Sequence, residues 1–231
     1  MTTIAANLQA VRSRIARAAE NAGRLPSTVA LVAVSKTWPA QCIAEAHACG
    51  QRAFGESYAQ EAAEKIARLA QLPLEWHFVG PLQANKTRLI AERFDWVHSV
   101  ARLKVAQRLN DARPDGKPAL NVCIQVNVSG EASKSGIAPG EERSLAREIA
   151  RMPRLTLRGL MAVPEPTTDV ALQRRRFRLL RELKDGLVAA GIALDTLSMG
   201  MSDDLEAAIL EGATIVRVGT AIFGTRPGTK P

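Results

Sequence analysis

A lysine at the end of a short apolar run is the first residue of this sequence whose surroundings suggest chemistry. Lys36 follows residues 29–35, which have the composition of a buried strand, and a turn at Trp38-Pro39 comes directly after it. A primary amine in that position is either a solvated charge at the rim of a sheet or a nucleophile that forms an imine with a carbonyl compound. The residue on its own leaves both interpretations open.

A Gly-Thr turn near the other end of the chain is the second chemical feature. Residues 214–218 have the pattern of a strand, which breaks at Gly219 and Thr220 into a short helical turn. Backbone N–H groups at such a turn point outward, and together with the helix dipole they favour a phosphate group. Upstream, Ser202 is placed either to cap a helix that begins at Asp203 or to contact the same phosphate.

The elements that must position these residues alternate between two patterns. Apolar runs rich in Val and Ile are separated by stretches with Ala, Leu, Glu and Arg at helical spacing, as expected of parallel βα units. The alternation favours an α/β fold, a single (β/α)8 TIM barrel in one domain over residues 1–231, with an open doubly wound sheet as the competing architecture. Strands are predicted at residues 29–35, 53–55, 75–80, 96–100, 120–128, 155–163, 194–199 and 214–218, and helices at residues 1–23, 39–49, 58–71, 86–93, 103–110, 141–152, 170–190 and 203–211.

The first and last strands of a closed barrel are neighbours, so Lys36 and the turn at Gly219 would face one small volume at the carboxyl ends of the strands. An amine beside a phosphate site suits pyridoxal 5'-phosphate, because the amine forms an imine with the aldehyde while backbone amides hold the phosphate. Arg217 lies two residues before Gly219 and points to the same side of its strand. Its guanidinium would keep the pyridine nitrogen unprotonated and weaken the ring as a sink for carbanion charge. A salt bridge to a neighbouring carboxylate is the alternative role for Arg217.

Seven short segments form a specific combination of motifs. They are AVSKT (33–37), FGESY (54–58), WHFVGPLQANK (76–86), KSG (134–136), GLM (159–161), SMGMSDD (198–204) and RVGTAIFG (217–224). In this order they resemble the YggS/PROSC family of pyridoxal phosphate homeostasis proteins over essentially the whole chain. The resemblance implies a barrel similar to the N-terminal domain of alanine racemase, with Lys36 as the imine lysine. It also implies that Ser202, Gly219 and Thr220 hold the phosphate. Arg217 falls where the family faces the ring nitrogen, whereas Ser57 departs from the Asn that the family commonly has there.

Whether such a site would catalyse a reaction depends on a second base. Racemisation needs a base on each face of the imine plane, and the racemases that resemble this barrel take a tyrosine from an additional β-domain. The sequence ends seven residues after Gly224, so we expect no such domain, and Tyr58 is the only tyrosine. His77 and His98 come near the ends of predicted strands and could supply a base, but a structural histidine held by hydrogen bonds is the more common role for a residue in such a position. We therefore expect a non-catalytic carrier that buffers the cofactor, with delivery to apoenzymes as a further role to be tested. A pyridoxal-dependent amino-acid racemase is the alternative.

Composition and charge bear on the remaining classes of protein. The net charge of +8 invites an RNA-binding interpretation, but the basic residues are dispersed, and the densest run, 174–178 with Arg181, is predicted as a solvated helix face. No apolar run approaches the roughly 20 residues that cross a bilayer, and the amino-terminal segment lacks the pattern of a signal peptide. Cys42, Cys49 and Cys123 lack the spacing of a disulfide framework or a zinc site. We expect a cytoplasmic protein, with a monomer favoured, that binds neither nucleic acid, membrane nor metal.

Overall fold

Eight parallel strands close into a barrel in the computed structural model, which describes residues 3–131 and 135–225. Each strand pairs with the next in chain order, and the last pairs with the first in a register that places Ala30 opposite Ile215 and Ala33 opposite Val218. The (β/α)8 prediction is thus confirmed, and the open doubly wound sheet is excluded. The strands are β1 (Ala30–Val34), β2 (Ala53–Glu56), β3 (Glu75–Phe78), β4 (Trp96–Val100), β5 (Leu120–Gln125), β6 (Leu155–Met161), β7 (Thr196–Ser198) and β8 (Ile215–Val218).

Helices form an outer layer around the strands. The first helix precedes β1 and packs against the helices at the other end of the chain, and no helix within the described ranges is both long and apolar enough to cross a bilayer. The α-helices of the described residues are α1 (Ile4–Asn21), α2 (Ala40–Ala48), α3 (Ala59–Arg68), α4 (Thr87–Arg93), α5 (Leu103–Ala112), α6 (Glu142–Ile149), α7 (Val170–Ala189), α8 (Leu205–Leu210) and α9 (Thr220–Phe223).

Capping and apolar spacing explain where the long helices lie. Thr3 caps α1 with a side-chain oxygen that accepts an amide from the first turn at 3.2 Å. Leu8, Val11 and Ile15 then recur at spacings of three and four residues on the buried face of the same helix. Asp169 caps α7 by accepting two amides of its first turn. These apolar faces cover the outer surface of the strands and build the larger of two hydrophobic clusters.

A smaller apolar cluster fills the inside of the barrel. It consists of Val32, Trp96, Cys123, Met161 and Ile215, which belong to five different strands. Side chains of the described residues thus pack the centre of the barrel, as in other closed α/β barrels. A binding cavity is expected at a mouth of the barrel instead.

The segment before α8 differs from the prediction. The helix predicted from Asp203 begins at Leu205, and Gly200 has a φ of 94°, which turns the chain sharply after β7. Asp204 Oδ1 accepts the Met201 amide at 2.6 Å and closes this turn. The interpretation of Ser202 as the cap of the helix is therefore wrong.

The basic run on α7 is only partly a solvated face. Arg174, Arg178 and Arg181 each form an ion pair with the buried carboxylate of Glu211, at 2.8, 3.0 and 3.0 Å. Burial acts to raise the pKa of Glu211, but the hydrogen bonds and charges of the arginines outweigh it and lower that pKa overall. These arginines therefore fasten α7 to the end of α8, which the sequence did not predict.

Candidate functional site

The carboxyl ends of β1 and β8 meet at one mouth of the barrel. Ala33 lies opposite Val218, so the turns that follow these two strands leave the barrel side by side. A cavity of about 570 Å³ opens there, a size typical of small-molecule sites. The structure brings every predicted site residue to its wall: Lys36, Ser202, Arg217, Gly219 and Thr220.

Lys36 belongs to a tight turn at the end of β1. The Trp38 amide donates to the Ser35 carbonyl at 3.0 Å. Thr37 has a φ of 69°, a left-handed conformation that is strained for a β-branched residue, and its amide donates to Glu61 Oε1 at 2.7 Å. The turn thus fixes the direction in which the half-buried Lys36 side chain leaves the strand towards the cavity.

A buried ion cluster lies directly behind this turn. The Lys65 ammonium donates to the Ser35 carbonyl and to Glu56 Oε1, each at 2.8 Å, and to Glu61 Oε1 at 2.5 Å. Glu56 Oε1 also accepts the Ser35 hydroxyl at 2.7 Å. Burial raises the pKa of Glu56, while the charge of Lys65 acts to lower it. This cluster is not among the sites predicted from the sequence, although the spacing that places Lys65 beside Ala62 on the buried face of α3 is a signal for it.

The short helix after β8 presents its amino terminus to the cavity. Gly219 is the N-cap residue of α9 and has no side chain that could cap the helix, so the first amides of the turn lack a cap from their own N-cap residue. Amides of its first turn are therefore available to an anion. The Ala221 amide donates to Ser202 Oγ at 3.3 Å, so this hydroxyl connects the β7–α8 loop with the turn after β8.

Gly219 allows this turn to approach β1 closely. A Cβ atom at this position would lie 3.1 Å from the Val34 carbonyl oxygen and 3.4 Å from Val34 Cβ. A side chain here would push the turn away from β1 by a few tenths of an ångström, because the nearest atom belongs to the backbone of a barrel strand. Glycine thus keeps the turn next to the strand that leads to Lys36.

Helix α1, outside the barrel, forms hydrogen bonds with two segments of the site: the loop between β7 and α8, and α9 after β8. Asn7 Nδ2 donates to the Ile222 carbonyl near the end of α9 at 2.9 Å. Arg14 donates to the Ser202 carbonyl at 2.8 Å and to the two carboxylate oxygens of Glu206 at 2.7 and 2.9 Å. These bonds fix the position of the Ser202 loop relative to α9. The sequence predicted α1 as a helix but not this contribution to the site.

Arg217 is buried inside the barrel and reaches the cavity wall. Its Nη1 donates to Ser198 Oγ at 2.6 Å and its Nη2 to the Ala162 carbonyl at 2.9 Å. These partners within the described residues are uncharged, in contrast to the salt bridge considered from the sequence. Burial lowers the pKa of Arg217 to about 10, while the charge of Asp204 acts in the opposite direction. The guanidinium therefore remains charged at neutral pH.

The two histidines considered as bases stand apart from the cavity. His77 and His98 are buried within the barrel on β3 and β4, and neither lines the cavity. They are hydrogen-bonded to each other, with 2.9 Å between His77 Nδ1 and His98 Nε2. Ser57 and Tyr58 do line the mouth, where Tyr58 is 52% exposed. Lys134, in one of the segments quoted above, lies outside the described residues.

Comparison with known proteins gives the family. The family model described as alanine racemase, N-terminal domain, matches residues 6–227. A pyridoxal phosphate homeostasis protein of Pseudomonas aeruginosa is 63% identical over 226 residues, which cover 98% of this chain and 97% of the relative. The chain belongs to the pyridoxal phosphate homeostasis protein family. A further member from Escherichia coli K12 is 53% identical over 233 residues and covers 100% of both chains. The resemblance inferred from the seven segments is thus confirmed.

Solved structures agree with this family and with the barrel. PipY of Synechococcus elongatus, in a structure with PLP bound, has a TM-score of 0.84 and 38% identity, over 96% of this chain and 100% of PipY. An alanine racemase of Clostridium difficile has a TM-score of 0.71 at 17% identity, over 96% of this chain and 57% of the racemase. The second likeness concerns the fold alone. This pyridoxal phosphate homeostasis family member therefore shares its barrel with the racemases, and its length with PipY.

Proposed function

We propose that the protein binds pyridoxal 5'-phosphate in the mouth cavity, with the Lys36 amine joined covalently to the aldehyde carbon, and that it acts in the homeostasis of this cofactor. The observation that carries the proposal is that Lys36 and the amino-terminal turn of α9, at Gly219 and Thr220, line the same cavity. The PLP-bound structure of PipY and the names of the curated relatives support it further. When bound, the cofactor would supply an electrophilic aldehyde and an electron-withdrawing ring.

The groups around the cavity fit the parts of this ligand. The Ser202 hydroxyl and the amides of Gly219 and Thr220 offer donors to the phosphate, and the positive end of α9 favours its charge. The Lys36 amine is the nucleophile for the aldehyde. Arg217 is assigned to the ring nitrogen, and because arginine only donates hydrogen bonds, a ring nitrogen beside it stays unprotonated.

We propose that the protein holds and releases the cofactor without turning over an amino acid. An unprotonated ring is the weaker electron sink, and the two buried histidines lie outside the cavity. The position of Tyr58 favours the second candidate, an amino-acid racemase, because this tyrosine lines the cavity at the mouth of the barrel. The proposal includes a single domain over residues 1–231, a cytoplasmic monomer, and transfer of the cofactor to apoenzymes.

Absorbance and mass spectrometry test the binding proposal. The wild-type protein mixed with pyridoxal 5'-phosphate is expected to gain a near-visible absorbance band, and borohydride reduction followed by peptide mass analysis should find the cofactor on Lys36. Lys36→Ala should remove the band. Lys86→Ala, which removes a lysine outside the cavity that is bonded to Gln60, should keep it. A colourless wild-type protein, or a label on another lysine, would contradict the proposal.

Exchange of the amino-acid α-proton in deuterated water separates the carrier from the racemase. We expect the loaded wild-type protein to exchange this proton no faster than free cofactor does, for each amino acid of a panel. Tyr58→Phe should then leave the exchange rate unchanged, because a carrier does not use the Tyr58 phenol to transfer a proton. Fast exchange that depends on both Lys36 and Tyr58 would establish the racemase instead.

A further inference from the structure

A chain of hydrogen bonds crosses the inside of the barrel from Arg217 to the opposite end. Arg217 Nη1 donates to Ser198 Oγ at 2.6 Å, and this oxygen lies 2.7 Å from His98 Nδ1. His98 Nε2 lies 2.9 Å from His77 Nδ1, and His77 Nε2 lies 2.6 Å from Glu75 Oε1. Glu75 begins β3 and its side chain is 50% exposed, whereas the other four residues are buried.

One direction of donation satisfies every atom of this chain. Arg217 can only donate, so Ser198 Oγ accepts from it and directs its single hydrogen to His98 Nδ1. His98 then carries its proton on Nε2 and donates to His77 Nδ1. His77 likewise carries its proton on Nε2 and donates to the Glu75 carboxylate. Reversing the direction of donation would leave the Ser198 hydrogen without an acceptor among the described residues. Both imidazoles are therefore neutral, and the charges stand at the two ends of the chain of hydrogen bonds.

The electrostatic surroundings agree with this arrangement. Burial lowers the pKa of His98 well below its ordinary value, and the charge of Arg217 acts in the same direction. The hydrogen bond from His77 lowers the pKa of Glu75, and the charge of Arg158 also favours the carboxylate. The other titratable groups that face Arg217 are Asp204 and Cys123.

We propose that Glu75, His77, His98 and Ser198 form a positioning relay, which holds the Arg217 guanidinium in the orientation that it presents to the ring nitrogen of the bound cofactor. The inference rests on the proposed function, since Arg217 meets a ring only if the cavity takes this ligand. The Ser198 hydroxyl and the Ala162 carbonyl hold the guanidinium through both of its Nη atoms. Without the Ser198 hydroxyl, the bond to the Ala162 carbonyl would remain, and the guanidinium could rotate about it.

Nitrogen NMR of the histidines tests the relay in the protein without added cofactor. The chain has three histidines, so His47→Gln leaves the signals of His77 and His98 alone. We expect both rings to be neutral with the proton on Nε2, and a proton on Nδ1 of either ring would overturn the relay. Glu75→Ala should disturb this pattern and Glu75→Gln, which keeps an acceptor oxygen, should preserve it. An undisturbed pattern in Glu75→Ala would also overturn the relay.

Cofactor titrations of Ser198→Ala and Thr87→Val test the effect on the site. Both substitutions remove one buried, hydrogen-bonded hydroxyl, but Thr87 bonds the Ala84 carbonyl on the outer side, at 2.9 Å. We expect Ser198→Ala to weaken cofactor binding about tenfold, equivalent to about 1.4 kcal/mol, and to shift the pH profile of the near-visible absorbance, with Thr87→Val unchanged. Equal behaviour of the two variants would overturn the relay and leave the proposed function intact. A wild-type protein that binds no cofactor at Lys36 would overturn the proposed function itself.

The solvent end of the relay provides a second comparison if Ser198→Ala does not fold. Glu75→Ala changes a half-exposed side chain and removes none of the apolar side chains that pack the interior of the barrel. We expect it to shift the same pH profile away from that of the wild type, while Glu75→Gln shifts it less. A profile identical to that of the wild type in Glu75→Ala would overturn the relay.

Discussion

Replacing Lys65 by methionine should destabilise the protein by about 3–5 kcal/mol, because it removes one partner of a buried ion pair. The Lys65 side chain is 7% exposed and that of Glu56 is fully buried, with 2.8 Å between the charged atoms. After the substitution Glu56 Oε1 would keep only the Ser35 hydroxyl, and Oε2 already lacks a hydrogen-bond partner among the described residues. The pair with Glu61 should contribute less, since that carboxylate is 32% exposed and screened by water.

A double-mutant cycle with Glu56→Gln tests this reasoning. Removing both charges leaves no uncompensated carboxylate, so the double variant should be about 2 kcal/mol more stable than Lys65→Met alone. Urea unfolding midpoints measure both values, provided that the m value stays constant. Lys86→Met is the matched control and should stay within about 0.5 kcal/mol of the wild type. A loss below about 1 kcal/mol for Lys65→Met, or a double variant whose loss is the sum of the two single losses, would refute the reasoning.

Two further predictions concern α1 and the barrel interior. Arg14→Ala should weaken cofactor binding about tenfold, or about 1.4 kcal/mol, because it releases the Ser202 loop. The control is Arg12→Ala, which loses a 2.9 Å bond to the Cys49 carbonyl and should leave cofactor binding unchanged. Equal losses of affinity for the two variants in calorimetric titrations would contradict this prediction. Burial lowers the pKa of His98, so below the ordinary value of 6.5 the unfolded chain binds more protons than the folded protein does. The free energy of unfolding should therefore fall as the pH drops through that value, by up to about 1.4 kcal/mol per pH unit. His98→Gln should flatten this slope between about pH 5 and 7, and an unchanged slope in urea unfolding would show that another group causes it.

The mouth of the barrel could be predicted from the sequence because its parts follow local patterns. Lys36 ends one apolar run, and the break at Gly219 ends another, so strand order alone brings them together once the barrel closes. Arg217 faces inward because side chains alternate along a strand, and the structure places it at the cavity wall. Each of these inferences needs only the periodicity of one segment and the rule that the first and last strands pair.

The supports of the site could not be predicted, because they depend on contacts between distant segments. Arg14 meets the Ser202 carbonyl across 188 residues, and His98 meets Ser198 across 100 residues. The predicted capping role of Ser202 is wrong for a related reason. A serine before two acidic residues has the pattern of a helix cap, but the left-handed turn at Gly200 and the bond from the Met201 amide to Asp204 delay the helix to Leu205.

The groups proposed to hold the cofactor are fixed from three different directions. Lys65 holds the Lys36 turn from behind, Arg14 holds the Ser202 loop from outside, and the buried relay holds Arg217 from within the barrel. A site held in this way loses little conformational freedom when its ligand binds, which favours retention. Opening any of these segments would break hydrogen bonds from charged groups, each worth about 1.5–3 kcal/mol where the bond is buried, as for Lys65 and Arg217. If the protein is the carrier proposed above, it should therefore exchange its cofactor at the rim of the cavity, where Tyr58 is exposed, and not through a movement of the loops.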